Sequence, residues 1–585
     1  MAEISTQTKQ TTPSIAKITV KDLISRYGLV AGVYILATTF TDAFNLADSV
    51  GYAGSVVNSK LLEFGHVLWR PLGWALLKVL GPVTGLFVGP DPLANANLIF
   101  IAVNWVAGLA SVILMYKLVM IVSRRRWVAN TVAMGLIFSQ GFLNYSQSGT
   151  AYVPGLALLL LGLYIMVKGA EKPERAWRTA LFAGLALAGA AGMWLQYVWS
   201  VPAALAAPLF LYGFNKQQFW LVVRGCVAFG LIMVLTFAVA GAAGGIYSVS
   251  GFKDWVVSTS GYLTGLNGLP RVIFGLARSM INMGNDGPLF KAYIVHDPFN
   301  PVSIIDLLRV SLWKLALFYI FIGAILFNLL RSAEGRRIFG LLLLNAIPVI
   351  AFALFWDGSA VERYLLLYPL IFLSLAYSLS SARSIRLFNY AALAFVAVAT
   401  VSNIAAMAKP VQEQRQQDVV ARIEQLQPML KPESRVATVN QQDEVWAFSW
   451  TFPFNPINKS GILKTYHIIE INTNQVPRWR EEFAAESIGV WEHGGDVWLS
   501  ERVFSPRPQR DWNWVEGADQ RVSWTDITSF FSQMEVGELV GTSDGFVKLL
   551  PSDNNLALLI GLAEKKKSLD SNSIAAASTV ETRNH

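Results

Sequence analysis

Long apolar runs separated by short polar loops make up most of residues 27–408. A run of about 20 mostly apolar residues is long enough to cross a bilayer as a helix, and the pattern predicts about 11 such spans. The predicted spans are Tyr27–Phe40, Leu98–Val122, Trp127–Leu143, Tyr152–Val167, Thr179–Trp194, Val198–Phe214, Trp220–Ala243, Leu308–Leu330, Ile338–Phe355, Tyr364–Leu379 and Tyr390–Ala408. Residues 27–408 are therefore predicted to form one transmembrane domain.

A different pattern begins after Ala408, where charged residues become frequent. Val411–Leu430 has the periodicity of an amphipathic helix, and short apolar runs typical of strands follow it. The predicted strands are Arg435–Val439, Val445–Phe448, His467–Ile471, Ile488–Trp491, Val497–Val503 and Phe546–Leu549. We expect a soluble α/β or α+β domain over residues 409–562. Residues 563–585, rich in Ser, Ala and Lys, are predicted to be a disordered tail.

Composition supports this fold class, an all-α polytopic membrane domain followed by a soluble domain. The chain is 54% hydrophobic and 15% charged, whereas soluble domains carry about 25% charged residues. This composition excludes a disordered chain and a collagen-like fibre. Cys226 is the only cysteine, so an intrachain disulfide is excluded as well.

The net charge of +8 is explained by topology, because cytoplasmic loops of membrane proteins collect Lys and Arg. Residues 1–26 are basic, and so are the alternate loops after them, at 124–126, 168–178, 216–224, 331–337 and 383–386. We therefore predict a multi-pass protein of the plasma (inner) membrane with a cytoplasmic N-terminus and an extracytoplasmic C-terminal domain. No nucleic-acid partner is inferred from the charge.

This orientation holds only if the apolar stretch Val67–Leu80 does not cross the membrane. We interpret that stretch as an interfacial helix carrying Trp69 and Trp74. Residues 41–97 then form one long outer loop, and residues 244–307 form a second.

Candidate chemistry collects in the first outer loop, where Asp42 and Asp48 follow the first span. A carboxylate there can take a proton from an attacking hydroxyl, or hold a divalent cation beside a phosphate group. For Asp42, capping a helix or marking the outer loop is the simpler interpretation. Asp48 is the stronger candidate because of the residues that follow it.

The segment Asp48-Ser-Val-Gly-Tyr52-Ala53, followed by His66-Val-Leu-Trp-Arg70-Pro71-Leu, resembles the first outer loop of GT-C glycosyltransferases. These polytopic enzymes use lipid-phosphate-linked sugars, and the resemblance is to the protein-mannosyltransferase and aminoarabinose-transferase type. The segment Arg363-Tyr364-Leu similarly resembles a motif before a late span. Many members carry two adjacent acids where this chain has Asp48-Ser49, which leaves the need for a divalent cation open.

The resemblance implies that Asp48 is the catalytic base. It further implies that substrate is bound by Asp42, Tyr52, His66, Arg70, Arg363 and Tyr364. The implied activity is inverting transfer of a sugar from a polyprenyl-phosphate donor to a glycan, lipid or protein acceptor on the extracytoplasmic face.

Other interpretations remain open for single residues and for the whole chain. An ion pair with Glu362 or Asp357 explains Arg363 equally well, and snorkelling to the interface explains Arg70. A transporter or flippase of lipid-linked glycans and a non-catalytic membrane scaffold are the alternative functions. The near absence of charged residues within the spans disfavours an ion-coupled transporter.

Overall fold

The computed structural model describes residues 20–43, 48–258, 269–283, 293, 302–356, 358–411, 425–431, 433–439, 468–471, 478–505, 524–541 and 545–581. Within the membrane part, the described segments are helical, as expected where water cannot satisfy the backbone. The helices are α1 (Val20–Phe40), α2 (Ser49–Val57), α3 (Trp69–Val88), α4 (Pro92–Ser123), α5 (Arg126–Ile137), α6 (Gln140–Tyr145), α7 (Tyr152–Gly169), α8 (Ala176–Met193), α9 (Val201–Tyr212), α10 (Lys216–Ala243), α11 (Val249–Ser258), α12 (Leu269–Met280), α13 (Ile304–Leu330), α14 (Ala333–Phe355), α15 (Tyr368–Ser380) and α16 (Arg386–Met407). Short 3₁₀ helices at Phe64–His66, Leu195–Ser200 and Val361–Leu367 connect them.

Among the described residues, nine helices are long and apolar enough to cross a membrane, and the chain is an integral membrane protein. Eight of the nine correspond to predicted spans, and the ninth is α3. The predicted span Trp127–Leu143 is divided between α5 and α6, because the chain turns to an extended conformation at Ser139. The side chain of Asn403 on α16 donates a hydrogen bond to the carbonyl of Phe138 at this break, 2.6 Å away.

Helix α3 lies across the first turns of α4 rather than alongside it. Near its start the ring of Trp69 packs on Phe100, with centroids 4.6 Å apart. Just beyond its end the carbonyl of Gly89 accepts a hydrogen bond from Asn95, at 2.9 Å. The two contacts lie 20 residues apart along α3 and its end but only five residues apart on α4, which is about 8 Å along the α4 axis at 1.5 Å per residue. This steep crossing agrees with an interfacial helix, although α3 has the length of a span, and its membrane position stays a prediction.

Small residues allow the spanning helices to approach closely. Helix α8 packs between α7 and α10, and a side chain at Gly184 would meet Ala228 of α10 within 2.9 Å. The first and last helices of the membrane domain also meet, since Thr41 and Ala408 form a β-bridge. The chain after Ala408 therefore leaves the membrane domain at the same face as the chain after α1.

The C-terminal part contains a five-stranded sheet in the order β2-β1-β3-β5-β4. Its elements are β1 (Arg435–Val439), β2 (Ile468–Ile471), α17 (Trp479–Glu492), β3 (Val497–Ser500), α18 (Trp524–Phe531), β4 (Val536–Val540), β5 (Phe546–Leu549) and α19 (Asp553–Glu581). Strands β2, β1 and β3 are parallel, and β3, β5 and β4 are antiparallel. The predicted fold class, a helical membrane domain with a C-terminal domain of helices and strands, is confirmed.

Two predictions for this domain differ from the structure. Ile488–Trp491 is not a strand but the end of α17, whose buried residues Trp479, Phe483, Ser487 and Val490 recur at helical spacing. Helix α19 continues to Glu581 through most of the predicted tail, and its Lys565 and Lys566 pair with Glu481 and Glu482. The predicted strand Val445–Phe448 and most of the predicted helix Val411–Leu430 lie outside the described residues.

Candidate functional site

Asp48 occupies the N-cap position of α2 but does not cap it. An aspartate at this position ordinarily accepts a hydrogen bond from a backbone N–H of the first turn. Here the carboxylate oxygen Oδ2 instead accepts a hydrogen bond from the hydroxyl of Tyr152, at 2.8 Å. This hydrogen bond holds the side chain in one orientation. The side chain is also exposed, so it remains accessible to a substrate.

The neighbouring backbone is fixed by Ser49, whose side chain joins three segments. Its hydroxyl donates to Asn97 Oδ1 at 2.6 Å and accepts from the backbone N–H of Gly149 at 2.9 Å. These bonds connect α2 to the start of α4 and to the loop before α7. Asp48 and Tyr152 are consequently brought together from positions 104 residues apart.

Tyr52 and His66 form a buried chain of hydrogen bonds behind Asp48. His66 Nδ1 lies 2.9 Å from the carbonyl of Met193, which can only accept, so Nδ1 carries the proton. Nε2 of the neutral ring then accepts from the hydroxyl of Tyr52, at 2.9 Å. Burial lowers the pKa of His66, although the nearby Glu63 acts against this, so the neutral ring is favoured. The same Tyr52 hydroxyl lies 3.4 Å from Asp48 Oδ2.

A second carboxylate, Glu362, is connected to the same cluster through two tyrosines. Tyr145 donates to Glu362 Oε2 at 2.8 Å, and its ring packs edge-on against Tyr152 with centroids 5.0 Å apart. Burial and the Glu362 carboxylate raise the pKa of Tyr145 well above its ordinary value, so the phenol stays protonated. Asp48 and Glu362 thus lie at the two ends of a pair of packed tyrosines.

Arg363 is buried, at 7% exposure, beside Glu362. Its guanidinium lies over the rings of Phe352 and Trp356, 5.5 Å and 5.8 Å from their centroids. Two of its nitrogens, Nε and Nη1, are buried without a hydrogen-bond partner among the described residues. A buried cation with unused N–H donors is costly unless an anion binds it, so this arrangement can bind a phosphate or carboxylate.

Arg70 lies beside Tyr52, with its guanidinium 5.7 Å from the ring centroid. It is ion-paired with Glu63, and one of its Nη groups lies 3.5 Å from the carbonyl of Lys60. Arg70 therefore contributes positive charge next to the Tyr52–His66 chain, but part of its hydrogen-bonding capacity is already used.

Tyr364 and Asp42 are placed by backbone contacts. The buried hydroxyl of Tyr364 donates to the carbonyl of Gly358, at 2.6 Å, and lies 3.3 Å from the carbonyl of Val272. This contact holds α12 against the loop after α14, and it fits a positioning role better than a direct substrate contact. The backbone N–H of Asp42 donates to Met407 at the end of α16. The substrate-binding roles of both residues stay predictions.

The structure thus brings Asp48, Tyr52, His66 and Arg70 into one cluster and places Arg363 at its far side, next to Glu362. Sequence reasoning missed Tyr145 and Tyr152 as members of this cluster, and it considered Glu362 only as an ion-pair partner. Their position in the sequence was the available signal: Tyr145 closely follows one predicted span and Tyr152 begins the next, so both lie at the same membrane boundary. Among the described residues, no group of three or more His, Cys, Asp or Glu side chains is arranged to hold a metal ion.

Comparison with known proteins gives a likeness in structure only. No family model and no curated protein sequence matches the chain. Its structure is similar to the crystal structure of ArnT from Cupriavidus metallidurans bound to undecaprenyl phosphate, at a TM-score of 0.49 and 10% identity, over 91% of this chain and 99% of that one. The apo structure of the same ArnT gives a TM-score of 0.40 and 10% identity, over 92% and 98%. At these TM-scores the likeness carries no argument about the site.

Proposed function

We propose that this protein is an inverting glycosyltransferase of the GT-C type. It transfers a sugar from a polyprenyl-phosphate carrier to an acceptor hydroxyl on the extracytoplasmic face of the membrane. The observation that carries the proposal is the position of Asp48: an exposed carboxylate, turned away from capping its own helix and held by Tyr152. The resemblance of the Asp48–Ala53 and His66–Pro71 segments to GT-C loops supports the same class.

In the proposed reaction the Asp48 carboxylate takes the proton of the acceptor hydroxyl as its oxygen attacks the anomeric carbon of the donor sugar. The bond between that carbon and the phosphate oxygen breaks, and its electron pair leaves with the polyprenyl phosphate. Attack opposite the departing phosphate inverts the configuration at the anomeric carbon. No residue forms a covalent bond with the sugar.

Arg363 is the group proposed to stabilise the departing phosphate. Its Nε and Nη1 donors, which have no partner in the described part of the chain, are buried beside Phe352 and Trp356, where little water competes for a phosphate oxygen. Fixed donors in a water-poor site stabilise developing negative charge more than they do in water. Glu362 contacts Asp48 through Tyr145 and Tyr152, and we propose that this chain of contacts fixes the distance between the phosphate site and Asp48.

The orientation of the chain is part of the proposal. Asp48 and the connection to the C-terminal domain lie at one face, since Thr41 pairs with Ala408. The loops at the other ends of α4, α7 and α13 are basic, and cytoplasmic loops have this composition. We therefore place the site and the C-terminal domain outside, at a bacterial inner membrane.

The direct test uses the purified full-length protein in lipid nanodiscs with a panel of polyprenyl-phosphate sugars and several glycan, lipid and protein acceptors. We expect sugar transfer from at least one donor and its loss in Asp48→Asn. Asp254→Asn, an exposed acid on α11, is the matched control and should keep full activity. Full activity of Asp48→Asn would contradict the assigned base. Carrier movement across the bilayer without any sugar transfer would favour a flippase.

A further inference from the structure

A cavity of about 290 Å³ lies at the membrane face opposite to Asp48. It is lined by Met120, Ile121, Arg124, Lys168, Glu171 and Tyr212. These residues come from the ends of α4, α7 and α9. Helix α4 starts at the Asp48 face, where Asn97 contacts Ser49, and runs to Arg124. At 1.5 Å per residue this places the cavity about 40 Å from that face.

The chemistry of the cavity is divided between cations and apolar side chains. Lys168 is ion-paired with Glu171 at 2.5 Å, and Tyr212 donates to the other Glu171 oxygen at 3.4 Å. Among the described residues, no carboxylate lies within ion-pair distance of Arg124. Met120 and Ile121 form the apolar part of the wall. The cavity thus carries a net positive charge above an apolar surface.

Arg124 is held there in an unusual backbone conformation. Its φ of 52° and ψ of 15° lie in the left-handed region, which a glycine adopts at lower energy. A glycine would end α4 equally well at this position. The arginine therefore occupies this position at a conformational cost, and residues in such strained conformations cluster at binding sites.

Exposed tryptophans lie near the helix ends on the same face as the cavity. Trp127, Trp177 and Trp220 lie within the first five residues of α5, α8 and α10, the helices that begin at this face. They are 49%, 60% and 47% exposed. Tryptophans at helix ends mark the boundary between the acyl chains and the headgroups. A ligand in the cavity accordingly meets the charged headgroup layer from one side and acyl chains from the other.

From these observations we infer that the cavity is a binding site for the phosphate of a membrane phospholipid, with Arg124 and Lys168 as the phosphate ligands. Arginine and lysine pockets between helices at a membrane boundary bind lipid phosphates in this way. The apolar wall of Met120 and Ile121 favours a lipid over a soluble phosphate ester, because it can contact the start of an acyl chain. This site is separate from the proposed sugar-transfer site and does not depend on it.

The test measures lipid binding to the intact, detergent-solubilised protein by native mass spectrometry, with phosphatidylglycerol as the probe. Arg124→Gly removes the guanidinium and suits the backbone of that position. We expect it to weaken binding about tenfold, as loss of one charge-assisted hydrogen bond does. Lys168→Gln should weaken binding as well. Arg178→Gln, an exposed arginine at the same face that does not line the cavity, should bind as the wild type does.

Three outcomes would overturn the inference. One is unchanged binding in both Arg124→Gly and Lys168→Gln, provided their circular-dichroism spectra match the wild type. Another is an equal loss in Arg178→Gln, which would indicate general attraction by the basic face. The third is full competition by water-soluble glycerol phosphate, which would assign the cavity to a soluble phosphate ester instead of a lipid.

Discussion

The hydroxyl of Tyr152, at the start of α7, lies 2.8 Å from the carboxylate of Asp48, at the start of α2. The contact joins two helices that are 104 residues apart in sequence. It also explains why Asp48 leaves the backbone of its own helix uncapped. The orientation of the candidate base therefore depends on a residue of another helix.

Removing this hydroxyl should reduce turnover without removing the base. In Tyr152→Phe we expect kcat to fall about 10- to 100-fold, the equivalent of one hydrogen bond to a charged group at 1.5–3 kcal/mol. The KM for the donor should change little, because Arg363 is untouched. Steady-state kinetics of sugar transfer measure both values. Tyr116→Phe, a buried tyrosine at the other end of α4, is the control and should leave kcat unchanged.

Acid should weaken the fold through His66. Burial lowers the pKa of His66 in the folded protein, while the unfolded chain binds its proton near the ordinary value of 6.5. The unfolded state therefore binds more protons below that value, and stability decreases as the pH falls through it. Protonated Nε2 is also no longer an acceptor for Tyr52.

Thermal unfolding of the wild type and His66→Asn between pH 7.5 and pH 5 tests this expectation. The difference in Tm between the two proteins should shrink on acidification, because only the wild type loses the contribution of a neutral imidazole. A difference that stays constant over the range would show that His66 titrates alike in both states.

Replacing Arg363 should affect the stability of the protein and its binding of the donor in opposite directions. Replacement by Met removes a buried cation whose Nε and Nη1 have no partner among the residues that the structure describes, and each unsatisfied group costs about 1–3 kcal/mol. We expect Arg363→Met to keep or raise the Tm and to increase the donor KM at least tenfold. Arg363→Lys should restore donor binding only in part, since a lysine lacks the planar fork. A large loss of Tm in Arg363→Met would instead assign the residue a structural role.

Asn403 should be essential for packing of the membrane domain. Its side chain accepts from the backbone N–H of Asn282, at 2.6 Å, and donates to the carbonyls of Phe138 and Met280. Asn403→Leu removes all three hydrogen bonds, so we expect it to destabilise the protein by about 3 kcal/mol or more. Asn345→Leu is the matched control, because within the described segments Asn345 makes one such bond, to Leu366, and its Oδ1 has no partner there. Its loss of Tm should be clearly smaller.

The fold was predictable from the sequence because its signals are local. Apolar length predicted eight of the nine described helices that are long and apolar enough to cross a membrane, and the basic loops are consistent with one orientation for all of them. The break at Ser139 was not predictable, because it depends on Asn403, whose side chain satisfies the Phe138 carbonyl from a helix 265 residues away. Ile488–Trp491 was misassigned because four apolar residues do not distinguish a strand from the end of a helix.

The candidate site was predictable only as far as it is contiguous in sequence. Asp48, Tyr52, His66 and Arg70 occur within 23 residues and do lie together. Helix packing adds Tyr145, Tyr152 and Glu362 to this cluster. A single sequence does not show which ends of the spanning helices lie next to one another. The resemblance to a family rests on short motifs, and the two tyrosines that connect the carboxylates lie outside those motifs.

The hydrogen bond from Tyr152 makes the two oxygens of the Asp48 carboxylate chemically different. Oδ2 is engaged by one tyrosine and lies near a second, whereas no described residue donates to Oδ1. A proton can therefore be received on Oδ1 without breaking the contact that orients the group. In the proposed transfer the acceptor hydroxyl is therefore expected to approach Asp48 from the side of Oδ1, so one free oxygen of a single side chain fixes where the attacking hydroxyl is held.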